Sequence, residues 1–104
     1  MKVYLLIYGS SMGDRAYMKN ILNAIPEVVH WRYDIPNCFY IQSESTSQEL
    51  VDMMAERMGE NVKRFLVSEI TSNRQGYLSK ETWNFIKMKN LTRQDLEEPM
   101  EMTV

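Results

Sequence analysis

The apolar positions of this chain fall into blocks with two spacings, one typical of strands and one typical of helices. Lys2–Tyr8 is a nearly continuous apolar run, which predicts a strand covered on at least one face. A loop rich in glycine and serine follows at residues 9–13, and Asp14 is placed to cap the next helix. The apolar residues of that helix recur at i, i+3, i+4 and i+7, and Pro26 ends it. They are Met18, Ile21, Leu22 and Ile25.

The next segments predict a hairpin and a second helix. Val28–Tyr33 alternates in side-chain character, residues 34–37 have the composition of a turn, and residues 38–42 return as a strand. Thr46 and Glu49 have the spacing of a capping box, in which each side chain bonds the backbone N–H of the other residue. Apolar residues then follow the helical template, and Gly59 supplies the C-terminal stop.

The last third of the chain predicts a strand, a turn and a short helix. Residues 62–71 form the strand, and a polar turn ends at Gly76. Ser79 is placed to cap a helix over residues 80–89. Residues 91–104 are acidic, contain Pro99 and show little periodicity, which predicts a flexible tail. We therefore expect one domain over residues 1–90, followed by a tail over residues 91–104.

The predicted order of elements is β-α-β-β-α-β with an extra C-terminal helix, which indicates an α+β fold of the split β-α-β type. Right-handed crossovers place the first two helices on one face of a four-stranded antiparallel sheet. The other face is then open to water, a partner or a ligand. Several aromatic residues lie on the predicted strands, and a large uncovered apolar face usually marks an interaction site.

Charge and cysteine content narrow the functional classes. The net charge is −2 and the pI is about 5.4, a balance that counts against strong non-specific binding of nucleic acid. Cys38 is the only cysteine, so an intrachain disulfide and a Cys-rich metal site are both excluded. The longest uninterrupted apolar run has six residues, too few to span a membrane. We expect a cytoplasmic protein with no membrane partner.

Three groups of residues are candidates for catalysis or ligand binding. His30, the only histidine, is eight residues from Cys38 on the predicted hairpin, a spacing that permits a contact, although a lone histidine on a strand is more often a surface or packed residue. Asp14 and Asp34 are candidate Mg²⁺ ligands because hard cations take carboxylate oxygens, although helix capping and turn formation explain both residues equally well. The loop at residues 9–13 lies where phosphates bind helix N-termini, but it lacks the Gly-Lys-Ser/Thr of a phosphate-binding loop.

Aromatic and basic residues suggest a possible contact with nucleic acid. Aromatic residues on the strands suit either base stacking or the packing of a core or a dimer interface. A basic grouping in the second half of the chain includes Lys63, Arg64 and Arg74, and we add Arg15 after the first loop. These four residues are the candidate nucleic-acid-binding positions.

Four segments of the chain resemble a known group of proteins. They are residues 31–34 (Trp-Arg-Tyr-Asp), 39–41 (Phe-Tyr-Ile), 67–71 (Val-Ser-Glu-Ile-Thr) and, above all, 76–83 (Gly-Tyr-Leu-Ser-Lys-Glu-Thr-Trp). They resemble the small prokaryotic proteins labelled the SinR family, which are similar to the small subunit of the CRISPR-associated integration complex and to virulence-associated protein D endoribonucleases. The resemblance covers residues 1 to about 90.

The resemblance implies a ferredoxin-like fold and a homodimer formed through the sheets. It also implies an aspartate directly after the tyrosine that ends the first strand, as the metal-binding or catalytic residue. This chain has Gly9 after Tyr8, so the carboxylate is absent at that position.

Three hypotheses follow. The first is a dimeric, non-catalytic or degenerate nuclease-like protein that binds nucleic acid or a protein partner, without a cofactor. The second is a metal-dependent endoribonuclease that uses Mg²⁺, with Asp14 as the catalytic residue and Asp14 and Asp34 as metal ligands. The third is a protein-interaction module resembling an antitoxin, whose partner covers the open sheet face.

Overall fold

The computed structural model describes residues 1–9, 15–88 and 102–103 of this chain. The elements, in chain order, are β1 (Lys2–Tyr8), α1 (Arg15–Asn23), β2 (Val28–Tyr33), β3 (Cys38–Ser43), α2 (Ser47–Met58), a single 3₁₀ turn (Gly59–Asn61), β4 (Phe65–Glu69), β5 (Leu78–Ser79), α3 (Lys80–Ile86) and β6 (Met102–Thr103). The predicted Asp14 cap lies outside the described residues. None of the helices in the described ranges is long and apolar enough to cross a membrane.

The predicted four-stranded antiparallel sheet is confirmed, and the fold is α+β. Its strand order is β2-β3-β1-β4, and every neighbouring pair is antiparallel. β1 and β3 are therefore central, while β2 and β4 form the edges. Residues opposite each other in antiparallel strands point to the same face of the sheet, so the register also assigns each side chain to a face.

The main core lies between one face of the sheet and the helices α1 and α2, as the periodicity predicts. Alternate residues of β1, namely Tyr4, Leu6 and Tyr8, point into it. The helices contribute Met18, Ile21, Leu22, Leu50, Met54 and Met58. Phe39 is fully buried at the centre, with its ring 5.4 Å from that of Trp31 and 5.0 Å from that of Tyr33. Edge-to-face aromatic pairs of this kind stabilise a core beyond the area they bury.

The predicted signals at the ends of α2 and α3 are present in the structure. The backbone N–H of Thr46 donates to Glu49 Oε1 (2.8 Å), and the backbone N–H of Glu49 donates to Thr46 Oγ1 (3.1 Å), which completes the capping box. Gly59 ends α2 with φ +61°, a conformation that glycine adopts without steric cost. Ser79 Oγ accepts from the backbone N–H of Thr82 (3.2 Å) and caps α3.

The second face of the sheet differs from the open face that we predicted, because α3 covers part of it. Trp83, Phe85 and Ile86 of α3 form a second buried cluster with Val3, Cys38 and Tyr40 of the sheet. Gln42 Nε2 donates to the carbonyl oxygen of Phe85 (2.9 Å) and fixes the end of the helix. Helical periodicity shows that α3 has apolar residues, but it does not show which surface buries them.

Part of the second face stays uncovered near β4. Ile7 of β1 and Leu66 of β4 are register partners, and they are 44% and 59% exposed. Two large apolar side chains therefore lie side by side on the surface.

Several boundaries differ from the prediction, most clearly those of β4 and α3. β4 begins at Phe65 rather than at residue 62, and it ends at Glu69 rather than at residue 71. α3 ends at Ile86 rather than at residue 89; Lys87 is its C-cap, and Met88, the next residue, has φ +54°. The predicted flexible tail lies outside the described residues except for β6, which pairs antiparallel with β5.

Candidate functional site

A buried polar cluster joins the β2–β3 hairpin to α3. The hydroxyl of Thr82 donates to Asp34 Oδ2 (2.6 Å) and accepts from Arg32 Nε (2.8 Å). Ser79 Oγ lies 2.8 Å from Thr82 Oγ1 and 3.4 Å from the same Asp34 oxygen. Arg32 and Asp34 are 45 to 50 positions from their partners Ser79 and Thr82 in the sequence, so the cluster is a tertiary contact.

One hydroxyl group links the two charged side chains of this cluster. Arg32 is 6% exposed, and its guanidinium and the Asp34 carboxylate lie on either side of Thr82 Oγ1. Hydrogen bonds to charged groups are stronger than neutral ones, and breaking one in a buried site leaves a desolvated charge. The cluster therefore has a clear structural role, which is to hold α3 against the sheet.

Of the two predicted metal ligands, Asp14 and Asp34, only Asp34 is among the described residues. Asp14 lies outside the described residues, and Asp34 is engaged with Thr82 and Ser79. Within the part of the chain that the structure describes, no three His, Cys, Asp or Glu residues are grouped to hold a metal ion. A metal site that includes Asp14 stays a prediction.

Gly9, the residue after β1, has no side chain that could bind a metal or act in catalysis. Tyr8 is buried, and the backbone N–H of Gly9 donates to the carbonyl oxygen of Arg64 (3.2 Å). This contact ties the end of β1 to the segment that leads into β4.

The four predicted nucleic-acid-binding residues lie on two surfaces. The Arg15 guanidinium stacks 4.8 Å above the centre of the Tyr33 ring, and Lys63 and Arg64 are exposed just before β4. The end of β2 and the start of β4 lie at the same end of the sheet, so these three residues share that end. Arg74 lies elsewhere, in the segment between β4 and β5, where its Nη1 donates to the carbonyl oxygen of Thr71 (2.9 Å).

Arg74 lies between two adjoining cavities on the second face. The larger has a volume of about 370 Å³ and is walled by apolar side chains, among them those of Leu5, Tyr40, Ile70 and Trp83. The smaller, about 250 Å³, is lined by Ser72, Arg74, Gln75, Trp83 and Lys87. Arg74, Gln75 and Trp83 line both cavities, so the two form one depression with an apolar end and a cationic end. We call this depression the double cavity.

Aromatic and basic groups meet at the double cavity. Lys87 Nζ lies 6.0 Å from the centre of the Trp83 ring, which is cation–π range. Tyr77, at the rim of the larger cavity, is 74% exposed. The i, i+4 spacing of Trp83 and Lys87 is the sequence signal for their contact, but nothing in the sequence places Arg74 beside them.

Cys38 is a poor nucleophile in this environment. Burial raises the pKa of its thiol to about 11, a hydrogen bond from Tyr40 lowers it in part, and the charge of Asp34 raises it further. Burial likewise raises the pKa of the Tyr40 hydroxyl. A thiol becomes reactive as the thiolate, so a raised pKa keeps Cys38 in the inert form near neutral pH.

The hairpin does not bring His30 and Cys38 together. In the β2–β3 register, His30 lies opposite Gln42, four residues along β3 from Cys38. Four residues of a strand span about 13 Å. His30 is also exposed, whereas Cys38 is buried on the face that α3 covers.

Comparisons of this chain with protein-family models, with curated proteins and with solved structures each gave no match.

We expect Thr82→Val to lower the free energy of unfolding by about 1–3 kcal/mol, because the isosteric side chain removes a hydroxyl that serves both Arg32 and Asp34. Urea denaturation followed by far-UV circular dichroism measures the change. Thr71→Val is the matched control: Thr71 is exposed, and its hydroxyl accepts from the backbone N–H of Asn73 at 3.4 Å, while the carbonyl oxygen that accepts from Arg74 is left in place by the substitution. That control should change stability by less than about 0.5 kcal/mol. Equal effects of the two substitutions would contradict the role of the cluster.

Thiol modification should report the raised pKa of Cys38. At pH 8 the native protein should react at least ~100-fold more slowly than the urea-unfolded chain, since a pKa near 11 in place of 9.0 leaves about 1% as much thiolate. The native rate should still rise above pH 9, where the unfolded rate levels off. Because the folded state keeps this proton longer, Cys38 contributes stability that is complete below pH 9 and is lost as pH rises towards 11. Matching pH profiles for native and unfolded protein would refute the shift.

Proposed function

We propose that this protein is a non-catalytic, nuclease-like protein of ferredoxin-like fold that binds nucleic acid as a homodimer. Support for the fold comes from the strand order β2-β3-β1-β4 and from the position of α1 and α2 on one sheet face. Support for kinship with the SinR-family proteins comes from residues 76–83, which span β5 and the start of α3.

The observation that carries the binding proposal is the meeting of cations and aromatic rings at the double cavity. Arg74 lines both cavities together with Trp83, Lys87 Nζ lies 6.0 Å from the centre of the Trp83 ring, and Tyr77 is exposed at the rim. Single-stranded nucleic acid is bound by this combination, with bases stacked on aromatic side chains and phosphates held by arginine and lysine. Arg15, Lys63 and Arg64 at the end of the sheet are a second cationic surface for the same strand.

The proposal of a non-catalytic protein rests on Gly9. In the CRISPR-associated and virulence-associated relatives of the proteins that this chain resembles, an aspartate at this position is the expected metal-binding or catalytic residue. Here the position has no side chain, and its backbone N–H is bonded to Arg64. Fold similarity does not carry activity without the residues that perform it.

The acidic balance of the chain predicts weak binding that depends on salt. With a net charge of −2, attraction to phosphates is confined to local patches such as those around Arg74 and Lys63. Release of counterions makes such binding weaken steeply as ionic strength rises.

Support for a homodimer comes from Ile7 and Leu66. They form an apolar pair beside the edge strand β4, and an exposed strand edge with apolar neighbours favours association. The same pair favours the second candidate function, a module that binds a different protein through this surface.

The first experiment measures binding and cleavage together. Labelled single- and double-stranded RNA and DNA are titrated with protein from about 50 mM to about 200 mM salt, with Mg²⁺, with Mn²⁺ and with EDTA. We expect salt-sensitive binding without cleavage. Metal-dependent cleavage would overturn the non-catalytic proposal and favour an endoribonuclease, with Asp14→Ala as the next variant. Absence of binding at low salt would overturn the nucleic-acid proposal and favour the protein partner.

Within that assay, Lys87→Ala should raise the Kd and reduce the salt slope by about one unit, as loss of one phosphate contact requires. Lys2→Ala is the control. Lys2 is exposed at the start of β1, at the opposite end of the sheet from Arg15, Lys63 and Arg64, and it lines neither cavity. Equal losses in the two variants would place the contact outside the double cavity.

Light scattering across a concentration series tests the dimer. The native chain should have twice the mass of one chain, and Leu66→Asp should shift it to the monomer because a charge replaces the central apolar contact. Val29→Asp is the control, since Val29 is 47% exposed on the opposite edge strand β2. A monomeric native chain, or a dimer that Leu66→Asp leaves intact, would contradict this arrangement.

A further inference from the structure

The larger cavity has the size and walls of a ligand site. Its volume of about 370 Å³ lies within the range of roughly 300–1,000 Å³ found for small-molecule sites. Its floor consists of Leu5 and Tyr40 from the sheet, and Trp83 and Ile86 from α3 form a wall. These contacts are apolar and suit a flat ring rather than a charged group.

The two ends of the double cavity differ in chemistry. Among the described residues that line them, none is acidic, while Arg74 and Lys87 both border the smaller cavity. Gln75, which lines both, has a side-chain amide that can donate and accept hydrogen bonds. A ligand that fills both cavities therefore has a flat, mostly apolar ring with polar edges at one end and an anionic group at the other.

Tyr77 adds a second surface for the ring. It follows Gly76 at the rim of the larger cavity, and most of its side chain is exposed. An exposed tyrosine contributes little to folding, but it offers a stacking face to a ring that enters the cavity.

We infer that the double cavity holds one unstacked nucleotide. The base enters the larger cavity between Tyr77 and Trp83, and its phosphate lies in the smaller cavity beside Arg74 and Lys87. This inference rests on the proposed binding of nucleic acid, and it further predicts which form of nucleic acid the protein prefers. A base within a duplex is stacked and paired on all sides, so it reaches the cavity only after it has been extruded at a cost of a few kcal/mol. The protein therefore selects single strands over duplex.

Fluorescence of Trp83 provides the direct test. The Trp31→Phe variant leaves Trp83 as the only tryptophan. It is titrated with a nucleoside monophosphate, with inorganic phosphate, with a short single-stranded RNA and with a blunt duplex of the same sequence. We expect the mononucleotide and the single strand to change the Trp83 emission, and inorganic phosphate to have a much smaller effect. The duplex should bind at least ~10-fold more weakly than the single strand, consistent with the cost of extruding a base.

Substitution of Tyr77 gives an independent readout. Tyr77→Ala should raise the Kd for the single strand by about 5- to 150-fold, the range for loss of one stacked base, and Tyr77→Phe should restore most of it. Tyr77 is exposed, so both variants should unfold at the same urea concentration as the native chain.

The outcomes separate this inference from the broader proposal. Salt-sensitive RNA binding with unchanged Trp83 emission and no effect of Tyr77→Ala would overturn the nucleotide site and leave nucleic-acid binding in place. Equal affinity for duplex and single strand would also overturn it. A response to inorganic phosphate as large as that to the mononucleotide would reduce the site to a simple anion site. No binding of any nucleic acid would overturn the proposed function itself.

Discussion

The side chain of Thr82 lies between a buried guanidinium and a carboxylate, and the position of α3 depends on that arrangement. Arg32 and Asp34 come from the end of β2 and the turn after it, whereas Thr82 is in the first turn of α3. A helix of seven residues has little stability of its own, because forming its first turn costs more conformational entropy than its few hydrogen bonds return. The polar cluster and the burial of Trp83, Phe85 and Ile86 together keep it in place.

The position of α3 decides which side chains of the second face are buried and which are exposed. The helix covers Val3, Cys38 and Tyr40, which raises the pKa of the Cys38 thiol, and it leaves Ile7 and Leu66 exposed nearer the β4 edge. The segment between β4 and β5 must then pass over the sheet to reach the start of the helix, and it brings Arg74 beside Trp83. The double cavity is thus the space left between a docked helix and the segment that leads to it.

Local signals explain why much of the fold could be predicted from sequence. The strands β1, β2 and β3, the capping box of α2 and the Ser79 cap all depend on residues within a few positions of each other. The placement of α3 could not be predicted in this way, since its anchors are 45 to 50 residues distant. The register of the hairpin separates His30 from Cys38 for the same reason: proximity in sequence does not fix which residues pair across two strands.

The candidate site was only partly visible in the sequence. The sequence predicts Arg74 as a basic contact and Asp34 as a turn residue or metal ligand. No local signal predicts the hydrogen bond between Thr82 and Asp34. Trp83 and Lys87 have i, i+4 spacing, but nothing local predicts that Arg74 joins them. Such groupings arise only when tertiary contacts bring separate segments together.

The dependence of α3 on a few anchoring contacts has a consequence for how the site would operate. An element that is held by tertiary anchors undocks when those anchors are lost. The double cavity exists only in the fraction of molecules in which α3 is docked, so the apparent affinity of any ligand there equals its intrinsic affinity reduced by that fraction. A ligand that contacts both the helix and the sheet would in turn raise the docked population. The double cavity therefore depends on the docking of α3, and through it on the side chains of the sheet that anchor this helix.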